Sequence, residues 1–143
     1  MIGAIIARQG VKSGYRALNE GNVDKFMTAW GDNCIWIYPG NISASGRFVG
    51  KEEVRKWFEH FQYQFPQKKF TLKHLGVGNI FAMGGHNVIS TQWDLDLVNK
   101  DGMSISYSGA TVLTIAGSKV IQGQDYLSVS DPVEYNKAWG NAK

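Results

Sequence analysis

The chain has 143 residues, 43% hydrophobic and 19% charged, which fits one globular domain and excludes a disordered segment. Its 15 basic and 12 acidic residues leave a net charge of +3 that is scattered along the chain, so a nucleic-acid surface is not expected. A single cysteine, Cys34, excludes an intrachain disulfide and a cysteine-based metal site. No run approaches the ~20 apolar residues of a membrane span. The apolar run over 2–7 is too short for a signal-peptide core, so a soluble cytoplasmic protein is expected.

The first element is a helix over 3–19, where Val11, Tyr15 and Leu18 recur at i, i+4 and i+7. Gly10 and Gly14 weaken that helix or let another element come close. Gly21 ends it, and Asn22 caps a second helix with Val23, Phe26, Met27 and Trp30 on its apolar face. Residues 34–38, Cys-Ile-Trp-Ile-Tyr, form a strand, and the Gly- and Ser-rich segment 39–50 is a loop. A third helix spans 51–64, with Glu52 and Glu53 at its positive end and Val54, Trp57, Phe58 and Phe61 on its buried stripe.

Beyond Pro66 the period changes to two. Strands are predicted at 70–81, 86–98, 103–115 and 119–129, joined by Gly-bearing turns. Asp131-Pro132-Val133-Glu134 then opens a short helix that ends near Trp139. Helices placed ahead of an antiparallel sheet give an α+β domain.

One register follows from the turn Asn99-Lys100-Asp101-Gly102. A three-residue loop with Gly102 in the left-handed region pairs Asn99 with Met103. It then sets Leu97 opposite Ile105, Leu95 opposite Tyr107 and Trp93 opposite Gly109 on an apolar face. Asp94 and Asp96 fall opposite Ser108 and Ser106 on the other face. A register one residue away mixes polar and apolar side chains on both faces.

Four segments carry a resemblance that spans most of the chain: Tyr15-Arg-Ala-Leu-Asn-Glu-Gly21, Asn33-Cys-Ile-Trp-Ile-Tyr-Pro-Gly40, Gly46-Arg-Phe-Val-Gly-Lys51 and Gly117-Ser-Lys-Val-Ile-Gln-Gly-Gln-Asp-Tyr126. In this order of elements the chain resembles the SnoaL-like branch of the nuclear-transport-factor-two-like superfamily, as a single domain over 1–143. The resemblance implies N-terminal helices packed on a strongly curved antiparallel sheet that forms a cone with an internal pocket. It also implies homodimers built on the convex face. It does not fix one activity.

The family's activities select different residues. Resemblance to SnoaL-type cyclases implies a general acid/base at Asp125, on the last long strand, although Thr111 lies where their histidine falls. Ketosteroid isomerases carry a carboxylate where this chain has Tyr38. Their other two functional positions fall near Gly14 and Thr111, and Tyr15 is one position off, so steroid isomerisation is rejected. Gln92-Trp93-Asp94 with Asp125 matches the spacing of limonene-epoxide-hydrolase-like enzymes, but glutamine replaces their arginine and the preferred register turns Asp94 outward.

The expected catalytic residues are therefore Asp125 and Tyr38. Asp125 shares a strand face with Gly123 and Leu127, and a carboxyl on an apolar face is held neutral or hydrogen-bonded. Tyr38 would position a substrate oxygen. Trp36, Trp93, Tyr107 and His74 are the expected ligand-binding wall; 13% of the chain is aromatic. His60, His74 and His86 have no metal-ligand spacing, so neither metal nor cofactor is expected. Two functional readings follow. One is an acid/base enzyme acting on a small, apolar, oxygenated molecule. The other is a non-catalytic module that binds such a molecule or another protein.

Overall fold

The computed structural model describes residues 2–79 and 86–140. Helix α1 (Ile2–Asn19) leads through Gly21, at φ +72°, into the short helix α2 (Val23–Met27). The Asn22 side chain accepts from the Lys25 amide at 3.0 Å and caps α2. Expected to run to Trp30 and stop at Gly31, α2 instead stops at Met27. The Thr28 hydroxyl donates back to the Lys25 carbonyl at 2.7 Å, and the Val120 amide donates to the Ala29 carbonyl, which begins sheet pairing. Trp30 is thus the first residue of strand β1 (Trp30–Tyr38), and it is still buried.

The expected loop after β1 contains a short strand, β2 (Gly46–Val49), paired antiparallel with β1 from Ile35–Val49 to Tyr38–Gly46. Four residues among glycines and serines are too few to display a period. Helix α3 (Lys51–Gln64) buries Val54, Trp57, Phe58 and Phe61, as its spacing predicts. Four strands follow: β3 (Gln67–Val77), β4 (His86–Val98), β5 (Ser104–Ala116) and β6 (Lys119–Ser128). Residues 80–81 of the strand predicted at 70–81, and the Gly-bearing turn predicted to follow it up to residue 85, lie outside the described residues. Helix α4 (Pro132–Trp139) starts as predicted, with the Asp131 carboxylate accepting from the Val133 and Glu134 amides at 3.1 and 3.0 Å.

The sheet order is β2-β1-β6-β5-β4-β3. Its pairings are antiparallel, as expected, except β1 with β6, which run parallel. The reason is topological. The β3–β6 meander reverses direction at each turn, so β6 returns alongside β1 in the same sense, and a parallel pair needs the long crossover that intervenes. Register shifts in β1, at Lys73 in β3 and at Ile121 in β6 bend the sheet into its concave form. The helices cover that concave face, and the core lies between them.

The β4–β5 register is the predicted one, with Leu97 on Ile105, Leu95 on Tyr107, Trp93 on Gly109 and Asp94 on Ser108. Gly102 sits at φ +86°, and the Asn99 amide donates to the Met103 carbonyl at 2.8 Å. Asn99 also holds the turn through its side chain. Its Oδ1 accepts from the Asp101 and Met103 amides at 3.0 and 2.9 Å, and its Nδ2 donates to the Ala138 carbonyl of α4 at 3.2 Å. Gln64 Nε2 donates to the same carbonyl at 2.7 Å, so the hairpin, α3 and α4 meet at one point. Asn99→Ala orphans buried groups there and is expected to cost roughly 1–3 kcal/mol, read from the denaturant midpoint at constant slope. A change under about 0.5 kcal/mol contradicts this account of α4 docking.

Candidate functional site

The concave face encloses a cavity of about 320 Å³ whose wall is mostly apolar and aromatic. Its volume is within the range of small-molecule sites. Tyr38 and Tyr107 stand on its wall together with Trp36 and Trp93. Among the described residues that line it, Asp125 is the one carboxyl-bearing side chain, and none is Lys, Arg or His.

Sheet pairing brings the polar groups together. Register places Thr111 directly opposite Asp125. The Trp93 indole Nε1, a donor only, donates to Thr111 Oγ1 at 2.9 Å. Thr111 therefore spends its single hydroxyl proton on Asp125 Oδ1, at 2.6 Å. Asp125 Oδ2 has no such partner among the described residues and is open to the cavity. Burial drives the Asp125 carboxyl up to about 7, against the downward pull of the Thr111 bond. A group poised there can both give and take a proton near neutral pH.

Two tyrosine arrangements flank this carboxyl. Tyr38, on β1, shares a 2.8 Å hydroxyl contact with Tyr135 of α4 and a longer 3.4 Å contact with Tyr107 of β5. Burial pushes the Tyr38 and Tyr107 phenols well above the usual range and Tyr135 up to about 12, so all three remain protonated donors. From the helical side, the Tyr15 hydroxyl meets Thr91 Oγ1 at 2.6 Å. Burial raises its phenol too, and the Asp125 charge adds to the rise. Trp36 stacks with Tyr38 at 6.3 Å and meets Trp57 edge-on.

Five of the six expected site residues, Asp125, Tyr38, Trp36, Trp93 and Tyr107, line this one cavity. His74 does not. Counted in twos from Phe70 and Leu72 it belongs on the inner face. The extra residue at Lys73 turns it outward, where it pairs with Gln92 and is exposed. Asp94 also faces out, as the register predicts. Its side chain is 53% exposed, with Lys73 Nζ 3.6 Å away, so the cavity holds one carboxyl and not two. Cys34 is fully buried.

Sequence reasoning missed Thr111, Tyr15 and Tyr135 as site members. Thr111 is hidden by the bulge at Ile121. Counting back from the Ala116–Lys119 turn without it sets Thr111 against Gln124. Tyr135 was legible from its four-residue spacing to Trp139, which puts both rings on one face of α4. Among the described residues, no group of three or more His, Cys, Asp or Glu is placed to hold a metal ion. No helix among them is long and apolar enough to cross a membrane.

The arrangement is that of known folds. Bal32a, from a soil-derived mobile gene cassette, superposes with a TM-score of 0.76 at 19% identity, over 95% of this chain and 98% of that one. A nuclear transport factor 2-like superfamily protein from Salmonella enterica superposes at 0.74 with 12% identity, over 93% and 97%. TerC, co-crystallised with polyporic acid, superposes at 0.69 with 11% identity, over 94% and 98%. At these identities the likeness is one of fold. No curated protein matches the chain in sequence. The sequence pattern of the SnoaL-like domain matches residues 11–122, most of the chain. With the cone, its cavity and that match in agreement, the protein belongs to the SnoaL-like domain family and has the fold of the nuclear transport factor 2-like proteins.

Proposed function

We propose that this chain is an acid/base enzyme that moves a proton at a carbon next to a carbonyl in a small, apolar, oxygenated molecule. One observation carries the reading. Asp125 is a carboxyl poised near 7, with one oxygen tied by Thr111 and the other open to an apolar cavity. In its ionised form, Asp125 Oδ2 takes the proton from the carbon. The electron pair passes into the carbon–carbon bond and onto the carbonyl oxygen, and Asp125 returns the proton at the same carbon or its vinylogous neighbour. Tyr38, held by Tyr135 and Tyr107, serves as a positioning group for the substrate oxygen. Trp36, Trp93 and Tyr107 supply the wall. None of these steps calls for a metal or cofactor.

The test is exchange of α-protons of apolar ketones into heavy water, followed by NMR. The enzyme is expected to accelerate exchange, and Asp125→Asn to remove the acceleration. Ketones that bind without any acceleration would instead favour a non-catalytic binding module.

The same reading includes a homodimer built on the convex face of the sheet. That face leaves Val88 of β4 and Tyr126 of β6 exposed at 44% and 53%, with β5 between their strands. Light scattering at micromolar concentration should give twice the chain mass, and Tyr126→Glu should shift it toward the single mass. A single mass for the unaltered chain contradicts the dimer.

A further inference from the structure

A strip of small residues runs along the α1 wall of the cavity, beside Ile6, Val11, Tyr15 and Leu18. Gly3, Ala7, Gly10 and Gly14 of α1 fall at i, i+4, i+7 and i+11, on one helix face, and all four line the cavity. Glycine inside a helix weakens it relative to alanine, so two of them in mid-helix need a reason. Backbone strain is not the reason, because neither Gly10 nor Gly14 has a positive φ. Close approach of another element is not the reason either. A Cβ at Gly10 would meet nothing within 4 Å, and one at Gly14 would meet only Phe26, at an ordinary 3.8 Å. What Gly10 provides is the empty space beside it, and at Gly14 the helix leaves room for no more than a methyl group before the Phe26 ring.

That space is continuous with the catalytic group. The same cavity holds Asp125, nine-tenths buried with Oδ2 unpartnered, and has Gly117 and Ser118 of the β5–β6 turn on its wall. From Gly3 to Gly14 the helix rises about 16 Å, at 1.5 Å per residue. The strip is therefore long compared with a single ring.

We propose that Gly10 and Gly14 are specificity-determining residues, which keep a channel open along α1 for the elongated apolar body of a ligand whose carbonyl end reaches Asp125. The inference rests on the acid/base reading of Asp125 for the direction in which the ligand lies. It names the substrate class as neutral, elongated carbonyl compounds. The cavity wall carries no basic side chain among the described residues to favour an anion.

The experiment uses phenyl alkyl ketones from acetophenone to decanophenone as probes. Trp30, Trp36, Trp57 and Trp93 line the cavity, so quenching of tryptophan fluorescence reports binding. Affinity should rise with alkyl length in the unaltered protein. In Gly10→Leu and Gly14→Leu the ratio of decanophenone to acetophenone affinity should fall at least tenfold. Gly10→Ala should leave the melting temperature unchanged or raised. An affinity ratio that the leucine variants do not alter overturns the proposal, as does a melting temperature lowered by Gly10→Ala. The two readings fail separately. If Asp125→Asn leaves α-proton exchange intact while the leucine variants shorten the preferred ketone, the acid/base reading fails and the channel stands. If Asp125→Asn removes exchange while all lengths bind the leucine variants alike, the channel fails and the acid/base reading stands.

Discussion

Replacing Asp125 by Asn is expected to abolish turnover and, above neutral pH, to make the protein more stable. Both effects have one cause. Burial holds the native carboxyl at about 7, whereas an unfolded aspartate titrates near ~3.9. Below that lower value both states are protonated and the group is neutral with respect to stability. As pH rises toward 7 the unfolded chain releases its proton while the native one keeps it, so stability falls across this window and then levels. At about 1.4 kcal/mol per tenfold in proton affinity, the ionised native state gives up roughly 4 kcal/mol by pH 8. An asparagine keeps the size of the side chain and accepts from Thr111 through its own oxygen, without the charge. Denaturant unfolding from pH 3 to 9 should therefore show the wild type losing stability where Asp125→Asn does not. Catalysis by a positioned acid/base is commonly worth 10²–10⁴-fold, and that is the loss expected in proton exchange. Parallel pH profiles for the two proteins would contradict this account of the carboxyl.

Gly109→Ala is expected to be among the most damaging single changes in the sheet. A Cβ there would lie 2.6 Å from the Tyr126 carbonyl oxygen and 2.7 Å from the Trp93 ring. The ring has no room to retreat, since Trp93 is 1% exposed and its Nε1 is tied to Thr111. The carbonyl belongs to β6, whose pairing with β5 carries Asp125. Relief thus means either opening that ladder or pushing Trp93 off Thr111. Overpacking of this kind costs typically 1–3 kcal/mol, and contact with backbone places it at the upper end or beyond. If Trp93 moves, Thr111 loses the bond that aims its proton, so residual exchange activity should fall with stability. A variant with an unchanged denaturant midpoint would show that the close Trp93–Gly109 approach is not what constrains the site.

Most of the fold was legible because its signals are local. The three-residue turn at Asn99 and the strict inward–outward alternation of β4 fix each other, and they carry the register as far as Trp93 on Gly109. The α3 stripe and the Asp131 cap are equally local. What was not legible depends on the long-range curvature of the sheet. Bulges at Lys73 and Ile121 each add one residue, and in a period of two one residue reverses a face. The first bulge sends His74 outward. The second sets Thr111, rather than a neighbour, against Asp125. The early end of α2 turns on a Thr28 side-chain bond and on pairing with a segment ninety residues away, which no helical period records. Tyr15 is one position from where the steroid isomerases place their tyrosine, yet its hydroxyl still reaches Thr91 beside the carboxyl.

Under the proposed function, one desolvated carboxyl in an apolar cone is poised for proton transfer. Carbon-detected NMR titration of the Asp125 carboxyl, with Asp125→Asn to assign the signal, tests it most directly. A midpoint near 7 is the predicted result. A midpoint near ~3.9, the value of a solvated aspartate, would mean that water reaches the group freely, and the acid/base account would be wrong.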